Sequence, residues 1–379
     1  VSWFPEGESV MQKYDASGNN IWGATQAIIE GGNDTVPANI FELSNGDYIM
    51  VFHSLTFGIN SNLFAQRYNS SGVLQWANPT QLSNYGTVFN RTYDGLQDGD
   101  IIYMGYTASP SSRFDSFLQR IDPDGILPWG INGSDFATSQ TNYEMDTKIA
   151  FDEESDYIWS SCNYTNPNQS EKGEYIQKFD KVTGARMLSD NAKLIFPIGS
   201  EKVHVGSMYL INNFPLLLIK DGLDNGVSPT SLNALMLDEN GDFAWPEETR
   251  PLATYSANKR RIQFTKPVNN QNVTVFIEDK GTGSKIYAQN FTEESLSIID
   301  NEFESNLSFT NPVTTIMEVK SKNTISAISI YNVLGQTIFE LKNNFSNEVS
   351  INTEIWNSGI YLMKVNSYID VFLKQIVKN

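Results

Sequence analysis

A short motif returns along the first 300 residues, and it constrains the fold more than any other feature. Met11-Gln12-Lys13-Tyr14-Asp15 is followed by Gly18 and then Ile21-Trp22-Gly23. The same plan gives Ala65-Gln66-Arg67-Tyr68-Asn69 with Gly72 and Gln75-Trp76. It returns as Leu118-Gln119-Arg120-Ile121-Asp122 with Gly125 and Pro128-Trp129-Gly130. Ile176-Gln177-Lys178-Phe179-Asp180 with Gly184 lacks the tryptophan. Leu235-Met236-Leu237-Asp238 with Gly241 and Trp245 has lost the glutamine, and Tyr287-Ala288-Gln289-Asn290-Phe291 is a half-copy. Copies lie roughly 53 to 58 residues apart, the spacing of a four-stranded propeller blade with generous loops.

The interior of a unit supports that count. Between Gly23 and Trp76, strands are expected at Ala38–Leu43, Tyr48–Leu55, Asn62–Tyr68 and from Val73–Trp76 onward. Asn45-Gly46-Asp47 and Ser70-Ser71-Gly72 separate them as tight turns, since Asn and Gly tolerate positive φ. No long apolar stripe of helical period occurs, so the body reads as all β. Val1-Ser2-Trp3 falls where the end of a second blade strand belongs, and the last unit, Arg261 to Thr292, ends after its third strand. The expectation is a β-propeller of at least six four-stranded blades over residues 1–300, closed by a strand from upstream sequence. In each unit the repeated Gln, Asp, Gly and Trp read as turn formers and blade packing, with the glutamine making a repeated internal hydrogen bond. The unit resembles a repeat of secreted Bacteroidetes propellers and, loosely, the Asp-box turn of sialidase-like propellers. Here, however, the Trp falls four residues after the Gly, and the leading Ser or Thr is absent.

Charge divides the chain. Of the net charge of −18, five acids against six lysines lie from Ser305 onward, so the preceding residues carry −19. Such a body repels nucleic acid and anionic lipid. Aromatic residues make up 12% and charged residues 18%, a composition that buries a core. No run of about 18 apolar residues exists to form a spanning helix. One cysteine, Cys162, excludes an internal disulfide. The opening Val1-Ser2-Trp3-Phe4-Pro5 has neither the basic start nor the apolar core of a secretory signal, so a mature or truncated form is expected.

Catalytic motifs are absent from the sequence. The two histidines, His53 and His204, fall in different blades, too few and too far apart for a histidine metal site. Cys162 reads as a small buried hydrophobe on a strand. There is no nucleophile elbow, phosphate loop or calcium loop. No cofactor, metal ligand or catalytic residue is therefore assigned. Asp152-Glu153-Glu154 and Asp238-Glu239 read as solvated turn acids, although glycoside hydrolysis needs only two carboxylates facing one sugar. The loops Tyr106–Arg113, Tyr164–Gly173 and Lys220–Ser231 are long enough to build a recognition face. A propeller that binds a glycan or a protein is the reading; a secreted glycoside hydrolase on the same scaffold is the alternative.

The last segment, 305–379, alternates apolar and polar residues in several short runs. Strands are expected at Ile325–Tyr331, Gln336–Leu341, Glu348–Asn352, Ile360–Val365 and Val371–Val377, giving a small antiparallel β-sandwich. Its ordered motifs are Asn311-Pro312-Val313, Ile328 to Gln336, Trp356-Asn357-Ser358-Gly359-Ile360-Tyr361-Leu362 and the basic end Lys374-Gln375-Ile376-Val377-Lys378. In order and spacing they resemble the type A C-terminal sorting domain of the type IX secretion system of Bacteroidetes. The periodicity alone fits an Ig-like adhesive module equally well. The resemblance implies export across the outer membrane to the cell surface or beyond, with a transient periplasmic stage. It implies three partners: a translocon barrel, a shuttle barrel that receives the sorting domain, and a sortase peptidase that removes it. Asn311, Pro312, Leu334, Gly335, Gln336, Trp356, Gly359, Ile360, Tyr361, Leu362, Lys374 and Lys378 are the residues on which the resemblance places recognition.

Overall fold

The computed structural model describes residues 2–3, 9–28, 32–55, 61–87, 93–223, 225–268, 271–292, 307–333, 335–367 and 371–379. They form two compact units, Val1–Glu293 and Glu294–Asn379. Among the described residues no helix is long and apolar enough to cross a membrane.

The first unit is a β-propeller. Among the described residues six blades follow one another as antiparallel meanders. Blade 2 holds Asp34–Glu42, Tyr48–Leu55, Ser61–Tyr68 and Thr80–Gln81. Blade 3 holds Asp94–Asp98, Ile101–Ser109, Asp115–Ile121 and Ser134–Asp135. Blade 4 holds Tyr143–Ala150, Tyr157–Thr165, Lys172–Asp180 and Lys193–Phe196. Blade 5 opens on Lys202–His204 and continues through Phe214–Asp221, Thr230–Met236 and Arg250–Ala257. Ser2–Trp3, Ser9–Met11 and Gln26–Ile28 occupy the second to fourth strand positions of blade 1. Arg260–Phe264, Gln271–Asp279 and Ser284–Thr292 occupy the first to third of blade 6.

Blades stack face to face over apolar side chains. Met11 and Ile28 of blade 1 meet Met50 and Phe52 of blade 2, and Ile49 and Val51 meet Ile102 and Met104. Tyr103 and Leu118 meet Ile158 and Phe179, Trp159 and Ile176 meet Leu217 and Leu235, and Leu218 and Met236 meet Phe264 and Phe276. Blade strands are therefore buried on both faces, which is why the second strand of blade 2 opens on the unbroken apolar run 48–52.

The repeated residues build the seams. Each glutamine Nε2 donates within its own blade: Gln66 to the Trp76 carbonyl at 3.2 Å, Gln119 to Gly130 at 3.0 Å, Gln177 to Ser189 at 2.8 Å. Each Oε1 accepts from the next backbone N–H, as at Arg67, Arg120 and Lys178. The basic residue after the glutamine reaches the following blade's turn: Arg67 to the Pro123 carbonyl at 2.9 Å, Arg120 to Lys181 at 3.1 Å, Lys178 to Glu239 at 2.8 Å. The tryptophans do the same. Trp22 Nε1 donates to Ser70 at 2.9 Å and Trp129 Nε1 to Val182 at 3.0 Å. Their rings lie over the turn glycine of the next blade, leaving no room for a side chain: a Cβ on Gly184 would sit 2.7 Å from the Trp129 ring. Blade 4 lacks the tryptophan, and Gly241 accordingly faces aliphatic carbons of Ile176, Lys193 and Leu188.

The strand expected from Val73 is a turn with one bridge, Tyr68–Leu74, and the fourth strand is Thr80–Gln81. The reason is the seam: Gln66 holds the Trp76 carbonyl while the Trp76 ring turns onto Gly125 of the next blade, which takes this segment off the ladder.

The second unit is a curled antiparallel sheet that closes on itself as a small sandwich. Ile316–Asn332 is one long strand that pairs with Thr337–Asn352 over both its ends, with register shifts between. Its first half also pairs with Leu307–Phe309, its second with Gly359–Ser367, which pairs with Val371–Lys378. The two short strands expected at Gln336–Leu341 and Glu348–Asn352 are thus the ends of one. Alternation buries Met317, Val319, Ile328, Ile330, Met363, Val365 and Ile376 in the core.

Candidate functional site

A cavity of about 440 Å³ opens among the first strands of blades 4, 5 and 6. That volume lies within the range of small-molecule sites. Blade 4 contributes Asp146, Lys148, Asn163 and Lys172, blade 5 contributes Val203 to Gly206, Lys220 and Gly226, and Asn258 to Ile262 lead into blade 6. Asp146 sits at a bulge where the pairing of Tyr143–Ala150 shifts between Met145 and Lys148. It adopts φ of 60°, an uncommon conformation for a non-glycine residue. The bulge turns its carboxylate aside to accept from Asn163 Nδ2 at 3.1 Å.

His204 borders the cavity and is nearly fully buried. Glu174, on the third strand of blade 4, grips it twice. Its Oε1 lies 2.9 Å from His204 Nδ1, and its Oε2 accepts from the His204 backbone N–H at 3.0 Å. Burial pushes the Glu174 carboxyl above its usual range, and the adjacent histidine opposes that shift. With Nδ1 committed, Nε2 is the ring nitrogen left for a ligand. Behind it, Asp94 of blade 3 accepts from the Ile149 N–H at 3.1 Å; burial raises its carboxyl, and Lys148 opposes the rise.

In the sequence His204 stands alone, since the other histidine falls in a different blade at a different strand position. The signal that counts, a buried carboxylate on the neighbouring blade, is legible only in three dimensions. His53 belongs to blade 2, with Nδ1 3.0 Å from Thr87 Oγ1 and no part in the cavity. Cys162 is fully buried, its Sγ 3.1 Å from Ser116 Oγ, and burial holds the thiol well above its usual range. It packs as a core residue, not a nucleophile. Asp152 and Asp238 cap their own turns, accepting from the N–H groups of Glu154 and of Asn240 and Asp242. Tyr106 and Tyr164, which head two of the proposed recognition loops, are core residues, and Tyr164 stacks on Tyr175 at 3.7 Å. Of the three loops, Lys220–Ser231 reaches the cavity most fully, through Lys220 and Gly226.

In the second unit the motif residues separate into two groups. Trp356 and Tyr361 are buried and lie 5.2 Å apart, with the Tyr361 hydroxyl on the Asn357 carbonyl at 2.8 Å. Asn311 is an exposed clasp on the last strand: its Oδ1 accepts from Val377 N–H at 2.8 Å and its Nδ2 donates to the Gln375 carbonyl at 3.2 Å. Pro312 follows it and is exposed. Lys378 is buried at the end of that strand, with Nζ on the Asn379 carbonyl. Gly335 and Gln336 form the exposed turn with Asn332, at φ of 78° for Gly335. Gly359, Ile360 and Leu362 are exposed at the start of their strand, and Lys374 is half-buried. Leu334 lies outside the described residues.

Residues 309–379 match the family described as the secretion system C-terminal sorting domain. The chain is thus a propeller protein exported as type IX secretion cargo to the cell surface or extracellular space. No curated protein matches it. Among solved structures it is similar to an endo-arabinase from Bacteroides thetaiotaomicron, at 11% identity over 68% of this chain and 94% of that one, with a TM-score of 0.40. It is similar to the β-propeller domain of the Trilobed protease from Pyrococcus furiosus, at 11% identity over 77% and 76%, with a TM-score of 0.39. A protein of unknown function from Dyadobacter fermentans matches at 10% identity over 76% and 84%, with a TM-score of 0.43. Likenesses this distant carry no argument about activity.

Proposed function

We propose that the exported propeller is a ligand-binding module for a glycan or a protein, and that the cavity of blades 4 to 6 is its site. The observation that carries this reading is His204, buried, oriented by Glu174 and placed on the wall of a cavity whose polar lining is made of charged and amide side chains. Glycoside hydrolysis needs two facing carboxylates. Among the described lining residues Asp146 is the single carboxylate, and it is turned toward Asn163. A glycan array with a parallel hydrolysis assay tests the reading. Binding without turnover is expected. Hydrolysis abolished by Asp146→Asn or Glu174→Gln overturns it in favour of a carbohydrate-active enzyme.

The sorting unit comprises residues 305–379 in this reading and engages the translocon and shuttle barrels before the sortase removes it. Exposed Ile360, Leu362, Gly335 and Gln336 support direct contact, whereas buried Trp356 and Tyr361 support a folding role. Deletion of residues 305–379 is expected to strand the propeller in the periplasm, measured by fractionation and blotting. Normal secretion of that truncation removes the address function from this segment.

A further inference from the structure

The cavity is a basic island in an acidic protein. Its described lining holds six cations, Lys148, Lys172, Lys220, Lys259, Arg260 and Arg261, against one carboxylate, Asp146, in a chain of net charge −18. Among the described residues three acids stand behind this wall, Glu278, Glu174 and Asp94, the last beside Lys148. Glu278 pairs with Lys259 at 3.0 Å and Glu174 holds His204. Lys259 is fully buried, whereas Arg260 and Arg261 are exposed at the other extreme, so the positive charge runs from the interior outward. A concave site lined by one sign of charge focuses its field and raises the local concentration of the opposite sign.

The apolar part of the described lining is Val203, Val205 and Ile262, with no aromatic ring. Neutral sugars are commonly held by stacking on an aromatic face, and this wall offers none. It offers amides instead. Asn163 spends its Nδ2 on Asp146 and Asn258 spends its Nδ2 on the Ser228 carbonyl at 2.8 Å, and the buried Oδ1 of each is left without a hydrogen-bond partner. Orphan acceptors in a cavity wall are what a hydroxylated ligand satisfies once the side chains turn toward it.

We infer that the cavity takes an anionic saccharide, a sugar bearing a carboxylate or a sulfate, with its acid group held by Lys148 and Arg261 and its hydroxyls by Asn163, Asn258 and His204 Nε2. The inference rests on the reading of the propeller as a glycan-binding module and narrows it to a ligand class.

Calorimetric titration of the full chain with a galacturonate disaccharide, a sulfated galactose disaccharide and the neutral galactose disaccharide tests it. One of the acidic sugars is expected to bind about tenfold or more tightly than the neutral one, since a charge-assisted hydrogen bond carries roughly that much affinity. Added salt should weaken the binding. Which acid prefers the site separates uronate from sulfate recognition. Arg261→Asn and Lys148→Gln should each lower affinity about tenfold, with thermal unfolding of both variants checked in parallel. Arg261 is exposed, so that variant retains the fold. Equal binding of the neutral sugar overturns the anion inference and leaves the glycan-binding reading standing. No binding of any of the three overturns both. Undiminished acidic-sugar binding by the folded Arg261→Asn and Lys148→Gln variants places the site elsewhere and overturns the assignment.

Discussion

The seams between blades and the cavity of blades 4 to 6 use side chains in opposite ways. At the seams the same residue types do the same thing again and again: a glutamine closes its own turn, and a tryptophan or a basic residue reaches the next one. In the cavity the residue types differ from blade to blade. Asp146, His204 and Arg261 come from the first strands of three blades, and Asp146 and Arg261 both sit at a register shift with positive φ, yet the three side chains are chemically unlike. In a repeat protein each unit needs its neighbour for stability, so selection for stability writes itself periodically into the sequence. A site for one ligand breaks that periodicity. The recurrent residues are therefore the scaffold, and the singular ones are where chemistry is to be sought.

The largest expected effect falls on the seam. Trp22 is buried, meets Tyr48 edge to face at 6.0 Å and covers Gly72. Trp22→Ala should destabilise the propeller by roughly 3–5 kcal/mol, read from chemical denaturation. Affinity for an acidic sugar should survive in the fraction that remains folded. A small loss of stability would mean that the seam is decoration and the contrast is false.

A second test uses a buried residue that is neither repeated nor in the cavity. Burial pushes the His53 imidazole down to about 4. The unfolded chain takes up this proton first, near the ordinary value of about 6.5. The contribution of neutral His53 is therefore fully present above that pH and is lost as pH falls toward 4. The linkage amounts to about 3 kcal/mol at most. A denaturation series across this window should show the loss, and His53→Gln should flatten it. A wild-type profile unchanged by the substitution removes His53 from the acid sensitivity.

The smallest effect is expected at the cavity. Arg261 is exposed and holds φ of 49°, which asparagine tolerates better than most residues. Arg261→Asn should change stability by no more than about 0.5 kcal/mol, while ligand affinity changes. A large change in the unfolding midpoint would erase the distinction between scaffold and site.

Much of the molecule was legible beforehand because repetition and alternation are local signals. The Gln–Gly–Trp spacing gave the blades, and the period-2 runs gave the second unit's strands. The errors came where a side chain acted at a distance. Val73 to Trp76 leaves the ladder because the Trp76 ring is drawn to Gly125 of the next blade. Tyr106 and Tyr164 open loops long enough for a recognition face, yet neighbouring sheets cover both rings. The tail motif was legible as a word, but the sequence could not say that Trp356 and Tyr361 face inward while Ile360 and Leu362 face out.

The chain's own order of residues determined its all-β class, its repeating blades and its export address, because each depends on neighbours within a few tens of residues. Only the tertiary structure decided where the cavity opens. Lys148, His204 and Arg261 are separated by more than fifty residues each, and no local pattern joins them. They meet because blades wound in sequence bring their first strands side by side, and charge gathers on the strands that face a common space.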